Sequence, residues 1–261
     1  MDKQEKLEDF LVKLYFDDDN ISGIFISGSL ANNTYDQYSD VDIRYIFNQN
    51  DDNLIKYYQN DFKEKLNGWI NKVLFYEPCY FNNALIPHFD NFIKADAFFY
   101  TQKMLTPSVW LKDIKVVKDQ NGFCENIKAV SQNLQNIPSV DSINNDILKY
   151  FACSHECYRG IKRNEFLYAD YLLDSMKFII INFLDFIDGN ENIGWKNVEK
   201  RYSKEIVSTL NQRIINEKEG LQYLTNINDL FFENEKKLCT KFNILRNFDF
   251  DYTVLSYHNK F

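Results

Sequence analysis

Residues 22–47, SGIFISGSLANNTYDQYSDVDIRYIF, are the stretch on which the fold of this chain depends. Ser22 to Ser27 is a short apolar run that reaches Gly28 and Ser29, and this pattern predicts a strand that ends in a turn. Asp40 to Phe47 is rich in β-branched and aromatic residues, which favour a second strand. The sequence therefore predicts two strands joined by a connection that begins with glycine.

Two carboxylates lie on one face of the second predicted strand. Side chains alternate along a strand, so Asp40 and Asp42 point the same way. Their mutual repulsion calls for a positive charge, and Mg²⁺, a hard cation that prefers oxygen ligands, supplies one. Gly28 and Ser29 offer backbone N–H groups and a hydroxyl to phosphate oxygens, since glycine has no Cβ in the way. The pattern predicts a pocket for a metal-bound triphosphate.

A third carboxylate is expected from a later strand. Asp96 is the acidic residue within the apolar strand candidate Phe92 to Thr101. Burying a carboxylate there is costly unless it faces a metal or a proton-transfer partner. Asp96 is therefore the third candidate site residue.

The remaining patterns divide the chain into two parts. Helical spacing is found at Lys6 to Phe16 and Leu54 to Val73, and further strand candidates at Val73 to Tyr80 and Ile114 to Lys118. From about Asn144 only helical spacing remains, at Ile147 to Ile161, Phe166 to Ile187, Trp195 to Leu210 and Leu221 to Phe242. We predict an α+β chain with a sheet-containing domain over residues 1–138 and an α-helical bundle over residues 139–261.

Composition excludes several classes of protein. The chain has 261 residues and a formal net charge of −8, and this negative charge disfavours nucleic acid as a partner. A small or cationic acceptor is more compatible with this negative charge. The first residues lack a secretory apolar region, and the longest apolar run, Phe178 to Phe186, is too short to span a membrane. We expect a cytoplasmic protein with no membrane partner.

The spacing of Gly28-Ser29 and, ten residues later, Asp40-Val41-Asp42 resembles the signature of the nucleotidyltransferases of the DNA polymerase β superfamily. Three shorter stretches are similar to the lincosamide nucleotidyltransferases and their aminoglycoside-modifying relatives: Gly28-Ser29-Leu30, Asp36-Gln37-Tyr38-Ser39-Asp40, and Lys162-Arg163 followed by Glu165. The likeness is specific over residues 23–47 and architectural over most of the chain.

This resemblance implies an activity and a domain arrangement. It implies a catalytic domain with a mixed β-sheet and flanking helices, followed by a helical domain that closes over the acceptor. Mg²⁺ is the implied cofactor, a nucleoside triphosphate (ATP or GTP) the implied co-substrate, and a homodimer is frequent in such enzymes. The implied reaction transfers a nucleoside monophosphate to a hydroxyl of a small-molecule antibiotic.

The resemblance also implies roles for individual residues. Asp40 and Asp42 match the metal-binding carboxylates, and Gly28 and Ser29 match the turn that contacts the triphosphate. Lys162 and Arg163 match a basic pair, to which we assign a triphosphate contact. Asp96 matches a residue that is a metal ligand or a general base. We favour the base, because the metal has two other carboxylates and the phosphate oxygens to draw on.

The acceptor and the biological role stay open at the level of sequence. A lincosamide is the first expectation for the acceptor, and an aminoglycoside is the alternative, because a polycation suits an acidic chain. Two other functions are compatible with the same fold. One is a toxin–antitoxin or regulatory protein that acts on a protein partner, and the other is a protein that binds nucleotide without turnover.

Overall fold

The chain folds into two compact units. A computed structural model describes residues 2–257. Contacts divide the chain into residues 1–134 and residues 135–261. The first unit contains all the described strands and the second is built of helices, so the predicted α+β class is confirmed. The predicted domain boundary after residue 138 stays a prediction.

The first unit is built on a mixed sheet. Its strands are β1 (Ile21–Ser27), β2 (Val41–Phe47), β3 (Val73–Tyr76), β4 (Ala84–Leu85), β5 (Pro87–Phe89), β6 (Ala95–Thr101) and β7 (Lys115–Asp119). Five of them form one sheet in the order β4-β6-β2-β1-β7, and β3 pairs with β5. β2 and β6 run parallel, whereas β1 is antiparallel to both of its neighbours. The predicted mixed sheet is therefore confirmed.

Two helices of the first unit cover one face of this sheet. The helices of the first unit are α1 (Lys3–Lys13), α2 (Gly28–Ala31), α3 (Asp52–Lys65) and α4 (Phe123–Gln132). One buried cluster joins α1, α3 and alternate residues of β2, among them Leu11, Phe62, Val41, Ile43 and Tyr45. Full burial of each large apolar side chain contributes roughly 1.5–3 kcal/mol. Because side chains alternate along β2, this packing fixes Asp42 on the opposite face.

Three details of the first unit differ from the sequence prediction. A helix, α2, begins at Gly28 itself where a turn is predicted. The helix predicted to reach Val73 ends at Lys65, and a 3₁₀ turn over Leu66–Gly68 precedes β3. β6 begins at Ala95 because Phe92, three residues earlier, has a φ of 63°, which extended strands do not adopt.

The second unit is helical throughout its described part. Its helices are α5 (Val140–Lys162), α6 (Phe166–Asp188), α7 (Val198–Arg201), α8 (Lys204–Leu210), α9 (Glu217–Lys241) and α10 (Phe248–Ser256). The ring of Tyr150 in α5 stacks on Phe231 in α9 with centroids 3.6 Å apart, and Phe183 of α6 packs on the same ring. This aromatic centre belongs to one buried cluster that joins the long helices.

Helix ends in the second unit explain where the predictions succeed and fail. α6 ends at Asp188, one residue past its predicted end, and Gly189 after it adopts the left-handed conformation that ends many helices. α5 begins seven residues before the predicted start, because Ser139 caps it by accepting a hydrogen bond from the Ser142 amide. The single helix predicted from Trp195 to Leu210 is wrong: Ser203 caps a new helix, so α7 and α8 are separate.

Membrane insertion finds no support in the described helices. None of those within residues 2–257 combines the length and the apolar character that a bilayer crossing requires.

Candidate active site

The connection after β1 places a glycine directly against a carboxylate. Gly28 has a φ of 67°, a conformation that glycine adopts without steric cost. A Cβ added to Gly28 would stand 2.5 Å from Oδ2 of Asp42, far inside van der Waals contact. The Asp42 carboxylate thus occupies the space that a side chain at residue 28 would fill. Ser29, the next residue of α2, is half-buried.

Strand register brings the predicted carboxylates together. Asp42 of β2 pairs with Ser27 of β1 on one side and with Asp96 of β6 on the other. Asp40 directly precedes β2, and the amide of Val41 donates to the carbonyl of Lys94 over 3.1 Å. The carboxylate side chains of residues 40, 42 and 96 retain 21%, 16% and 19% exposure, so all three are reachable from solvent. Their metal and catalytic roles stay predictions.

A lysine that the sequence reasoning missed lies among these carboxylates. Nζ of Lys94 donates to both oxygens of Asp96, over 2.6 and 2.8 Å, and stands 3.4 Å from Oδ2 of Asp40. Burial lowers the pKa of Lys94, but the hydrogen bond and charge of Asp96 and the charge of Asp40 outweigh it and raise the pKa overall. Lys94 is therefore positively charged at neutral pH.

A second missed cation lies against Asp42. Nη2 of Arg44 is 3.4 Å from Oδ1 of Asp42, and Nη1 donates to the Asp96 carbonyl over 3.0 Å. The guanidinium also lies 4.4 Å from the ring centroid of Phe98, a cation–π distance. Arg44 therefore links β2 to β6 beneath the carboxylates. The period of two was the available signal, since Arg44 follows Asp42 by two residues and Lys94 precedes Asp96 by two.

The donor set suits a hard divalent cation. Asp40, Asp42 and Asp96 supply charged oxygens, the ligands that Mg²⁺ prefers. Gly28 leaves the space that the Asp42 carboxylate occupies, since no Cβ projects there. Within residues 2–257, however, no three metal-ligating side chains already converge at metal-binding spacing, and the Lys94 ammonium lies against two of the three carboxylates. The charged oxygens of these carboxylates, and their positions on or beside the adjacent strands β2 and β6, suit a divalent cation.

The basic pair predicted to contact the triphosphate lies in the second unit. Lys162 is the last residue of α5, and its Nζ pairs with Oε1 of Glu217 over 2.5 Å. This hydrogen bond raises the pKa of Lys162. Arg163 is exposed at the end of the same helix. Their triphosphate contact stays a prediction, whereas Gly28, Asp40, Asp42 and Asp96 are brought together within the first unit.

Comparison with known proteins identifies the first unit. Residues 5–104 match the family model of the nucleotidyltransferase domain. No curated protein matches the chain. Among solved structures, an aminoglycoside 6-adenyltransferase from Bacillus subtilis is similar at 13% identity and a TM-score of 0.47, with 100% of this chain and 98% of that chain covered. A nucleotidyltransferase-like protein from Exiguobacterium sibiricum 255-15 is similar at 10% identity and a TM-score of 0.36, with 98% and 78% covered.

The matched segment contains the glycine turn, the three carboxylates and the two cations beside them. It begins in α1, includes the turn at Gly28, and ends just after β6, which contains Asp96. The enzyme class expected from the sequence is confirmed by the domain match: the chain contains a nucleotidyltransferase domain, and this domain lies in the first unit.

Proposed function

We propose that this enzyme transfers a nucleoside monophosphate from a nucleoside triphosphate to a hydroxyl group of a small-molecule antibiotic, with a divalent metal ion as cofactor. The observation that carries the proposal is the register of β2 and β6. It sets Asp42 opposite Asp96, beside the glycine turn at the end of β1. Paired carboxylates next to such a turn suit a metal-bound triphosphate.

At the α-phosphorus, the proposed reaction forms one bond and breaks one. The acceptor oxygen bonds to the α-phosphorus, the bond from that phosphorus to the bridging β-phosphate oxygen breaks, and pyrophosphate leaves. Divalent metal supplies charge stabilisation on the α-phosphate and the leaving pyrophosphate. Asp40 and Asp42 hold the metal, and the turn at Gly28 and Ser29 orients the triphosphate. Arg44, fixed against Phe98, holds Asp42 in place.

Asp96 receives the acceptor's proton in this proposal. A carboxylate positioned at the acceptor hydroxyl accelerates such a transfer by about 10²–10⁴-fold. Both oxygens of Asp96 accept hydrogen bonds from Lys94 in the structure, so one oxygen must be released before it takes the proton. The alternative role of Asp96 is that of a third metal ligand, which its register opposite Asp42 also suits.

The acceptor is proposed from the local motifs and from charge. The stretches at Gly28-Ser29-Leu30 and Asp36 to Asp40 are similar to lincosamide enzymes, so a lincosamide is the first acceptor we propose. The formal net charge of −8 favours the second candidate, an aminoglycoside, because a polycation is attracted to an acidic protein. ATP and GTP are both candidate donors.

One assay tests the proposal directly. The purified enzyme is incubated with labelled ATP or GTP, Mg²⁺ and one antibiotic at a time, and pyrophosphate release is measured. We expect release that depends on a lincosamide and is absent in the Asp42→Asn variant. Pyrophosphate release with aminoglycosides alone would identify an aminoglycoside, and not a lincosamide, as the acceptor. Labelling of a protein partner, or nucleotide binding without any acceptor-dependent release, overturns the antibiotic assignment.

The matched control is Asp9→Asn. Asp9 is an aspartate of the same unit whose ion pair with Lys13 on α1 is exposed to solvent. Exposed pairs contribute at most about 1 kcal/mol, so this variant should keep its fold and its turnover. Equal losses in both variants would indicate damage to the unit rather than to the site.

A further inference from the structure

Three carboxylates and two cations share one face of the sheet. Lys94 contacts Asp96 and Asp40, and Arg44 contacts Asp42. Two of the three negative charges are thus offset by side chains of the chain itself. Like charges this close repel each other strongly at low local dielectric, so these cations stabilise the site before any ligand arrives.

The position of Lys94 follows from the sheet. Val41 pairs with Ala95 in the parallel register, so the residues just before them, Asp40 and Lys94, lie side by side. Lys94 precedes Asp96 by two residues and therefore shares its face. The Lys94 side chain is only 29% exposed, which shows that its ammonium is turned into the site rather than towards bulk water.

We propose that Lys94 is an internal counter-cation that occupies, between Asp40 and Asp96, the position that a divalent ion takes when the substrate binds. Lys94 and the divalent ion then compete for the same carboxylate oxygens. The free enzyme holds metal weakly, and metal binds tightly only with the triphosphate, whose oxygens supply further ligands. This inference rests on the proposed function in one respect, namely that Asp40 and Asp96 bind metal.

The two cations differ in how readily they can leave. Lys94 has a flexible four-carbon stem and a point charge, so its ammonium can swing away without disturbing the strand. Arg44 is 8% exposed, lies against the ring of Phe98 and donates to the Asp96 carbonyl, so it is held by several contacts. The metal therefore displaces the Lys94 ammonium, whereas Arg44 keeps its contacts.

The test measures metal binding without nucleotide. Mn²⁺ is titrated into the wild type and into Lys94→Met, and free Mn²⁺ is followed by electron paramagnetic resonance. Removing a positive charge from three carboxylates should tighten Mn²⁺ binding by at least about tenfold. In EDTA the melting temperature of the variant should fall, because the carboxylates lose their counter-cation, and added Mn²⁺ should restore it more than in the wild type.

The matched control is Lys65→Met. Lys65 pairs with Asp61 over 2.8 Å on α3, with side-chain exposures of 38% and 25% that resemble those of the Lys94 pair. We expect its Mn²⁺ affinity to equal that of the wild type. Lys94→Arg keeps the charge and should bind Mn²⁺ weakly. Lys94→Gln keeps most of the stem but is neutral, so it should reproduce the tightening if Lys94→Met does not fold.

Two outcomes separate this inference from the proposed function. Unchanged Mn²⁺ affinity in both neutral variants overturns the counter-cation role, even if the wild type releases pyrophosphate. Tighter Mn²⁺ binding in an enzyme that uses no antibiotic supports the counter-cation role and removes only the proposed acceptor.

Discussion

Asp96 is held from two directions, and this bears on its role. Lys94 binds its carboxylate, and Arg44 binds its carbonyl. To act as a base, Asp96 must lose a hydrogen bond from Lys94 and take the proton of the acceptor hydroxyl. To act as a metal ligand, it must lose the same hydrogen bond and bind the metal. Both exchanges displace Lys94, so the geometry alone is compatible with either role.

Substitution of Asp96 separates the two roles. If Asp96 is the base, Asp96→Asn should lower kcat by about 10²-fold or more and leave nucleotide affinity in Mg²⁺ nearly unchanged, since proton transfer is felt in the transition state. If Asp96 is a ligand, affinity should fall as well, because a neutral amide replaces a charged oxygen. Calorimetric titration of the metal–nucleotide complex, beside single-turnover rates, distinguishes them. Unaltered turnover removes Asp96 from the site.

A methyl group at residue 28 should disturb Asp42 specifically. Gly28→Ala adds a Cβ that stands 2.5 Å from Oδ2 of Asp42, and the left-handed φ of 67° adds strain. We expect a loss of about 1–3 kcal/mol in stability and a fall in kcat/KM of at least about 100-fold. Urea unfolding and the pyrophosphate assay measure the two effects.

The control for Gly28→Ala is Gly122→Ala in the same unit. Gly122 has a similar φ of 74°, but an added Cβ meets nothing within 4 Å. The Gly122→Ala variant should lose a comparable amount of stability through backbone strain and should keep its turnover. If both variants lose turnover equally, contact with Asp42 is not the cause and the close approach at Gly28 has no catalytic meaning.

Sequence predicted the acidic residues of the site but missed its cations. Asp40, Asp42 and Asp96 are conspicuous because carboxylates are costly within apolar strands. Lys94 lies one residue before β6, and Arg44 is flanked by apolar residues. From the sequence alone, each could equally be a charged side chain that faces solvent. Their cross-strand contacts, of Lys94 with Asp40 and of Arg44 with the Asp96 carbonyl, depend on the parallel register of β2 and β6, which only the folded sheet supplies.

At the scale of elements, the success of prediction depends on the strength of the pattern. β1, β2 and β7 match their predictions to within one residue because each is rich in β-branched residues, which favour strands. β4 and β5 have two and three residues, too few to show a period. α4 was missed because the turn signal at Gly122 marks the end of a strand and carries no information about the type of the next element.

Helices α9 and α10 are joined by a buried charged group that no pattern predicted. Arg246, between them, donates to both oxygens of Asp251, and its Nε is 3.6 Å from Oε1 of Glu235. Glu235 is fully buried. Burial, and then the charge of Asp251, raises its pKa to about 8. Glu235 therefore stays protonated at neutral pH.

The raised pKa of Glu235 predicts a pH-dependent stability. The folded protein binds this proton more tightly than the unfolded chain, in which the glutamate has its ordinary pKa of 4.5. The stabilisation is fully present below 4.5 and is lost as pH rises to about 8, by at most roughly 1.4 kcal/mol per pH unit. Glu235→Gln, which carries no charge, should flatten this decline and be more stable than the wild type at pH 8.

Urea unfolding by circular dichroism between pH 5 and 8.5 measures the effect of Glu235→Gln. Glu233→Gln, two residues away on α9 and exposed, is the matched control and should decline with pH as the wild type does. A slope for Glu235→Gln equal to that of the wild type would show that Glu235 is ionised throughout and that Arg246 alone compensates its charge.

At the scale of the whole molecule, the nucleotidyltransferase domain and the described helices α5 to α10 belong to different units. The nucleotidyltransferase match ends at residue 104, inside the first unit. The predicted triphosphate contacts of Lys162 and Arg163 belong to the second. A two-unit chain need not unfold in one step, so a single melting temperature has meaning only if calorimetry finds one transition.

Ligand binding should stabilise the enzyme only when metal and nucleotide are present together. The triphosphate alone meets Asp40, Asp42 and Asp96 with like charge, and Mg²⁺ alone competes with Lys94 for two of these carboxylates. Together, metal and triphosphate complete each other's ligand sets, and at 100 times the dissociation constant the native state gains about 2.7 kcal/mol. A shift of several degrees is expected, larger than the sum of the shifts with either ligand alone. The Asp42→Asn variant should lose this excess, whereas Asp9→Asn should keep it. Strictly additive shifts, or an undiminished excess in Asp42→Asn, would show that the triphosphate and the metal bind elsewhere than at the carboxylates of β2 and β6.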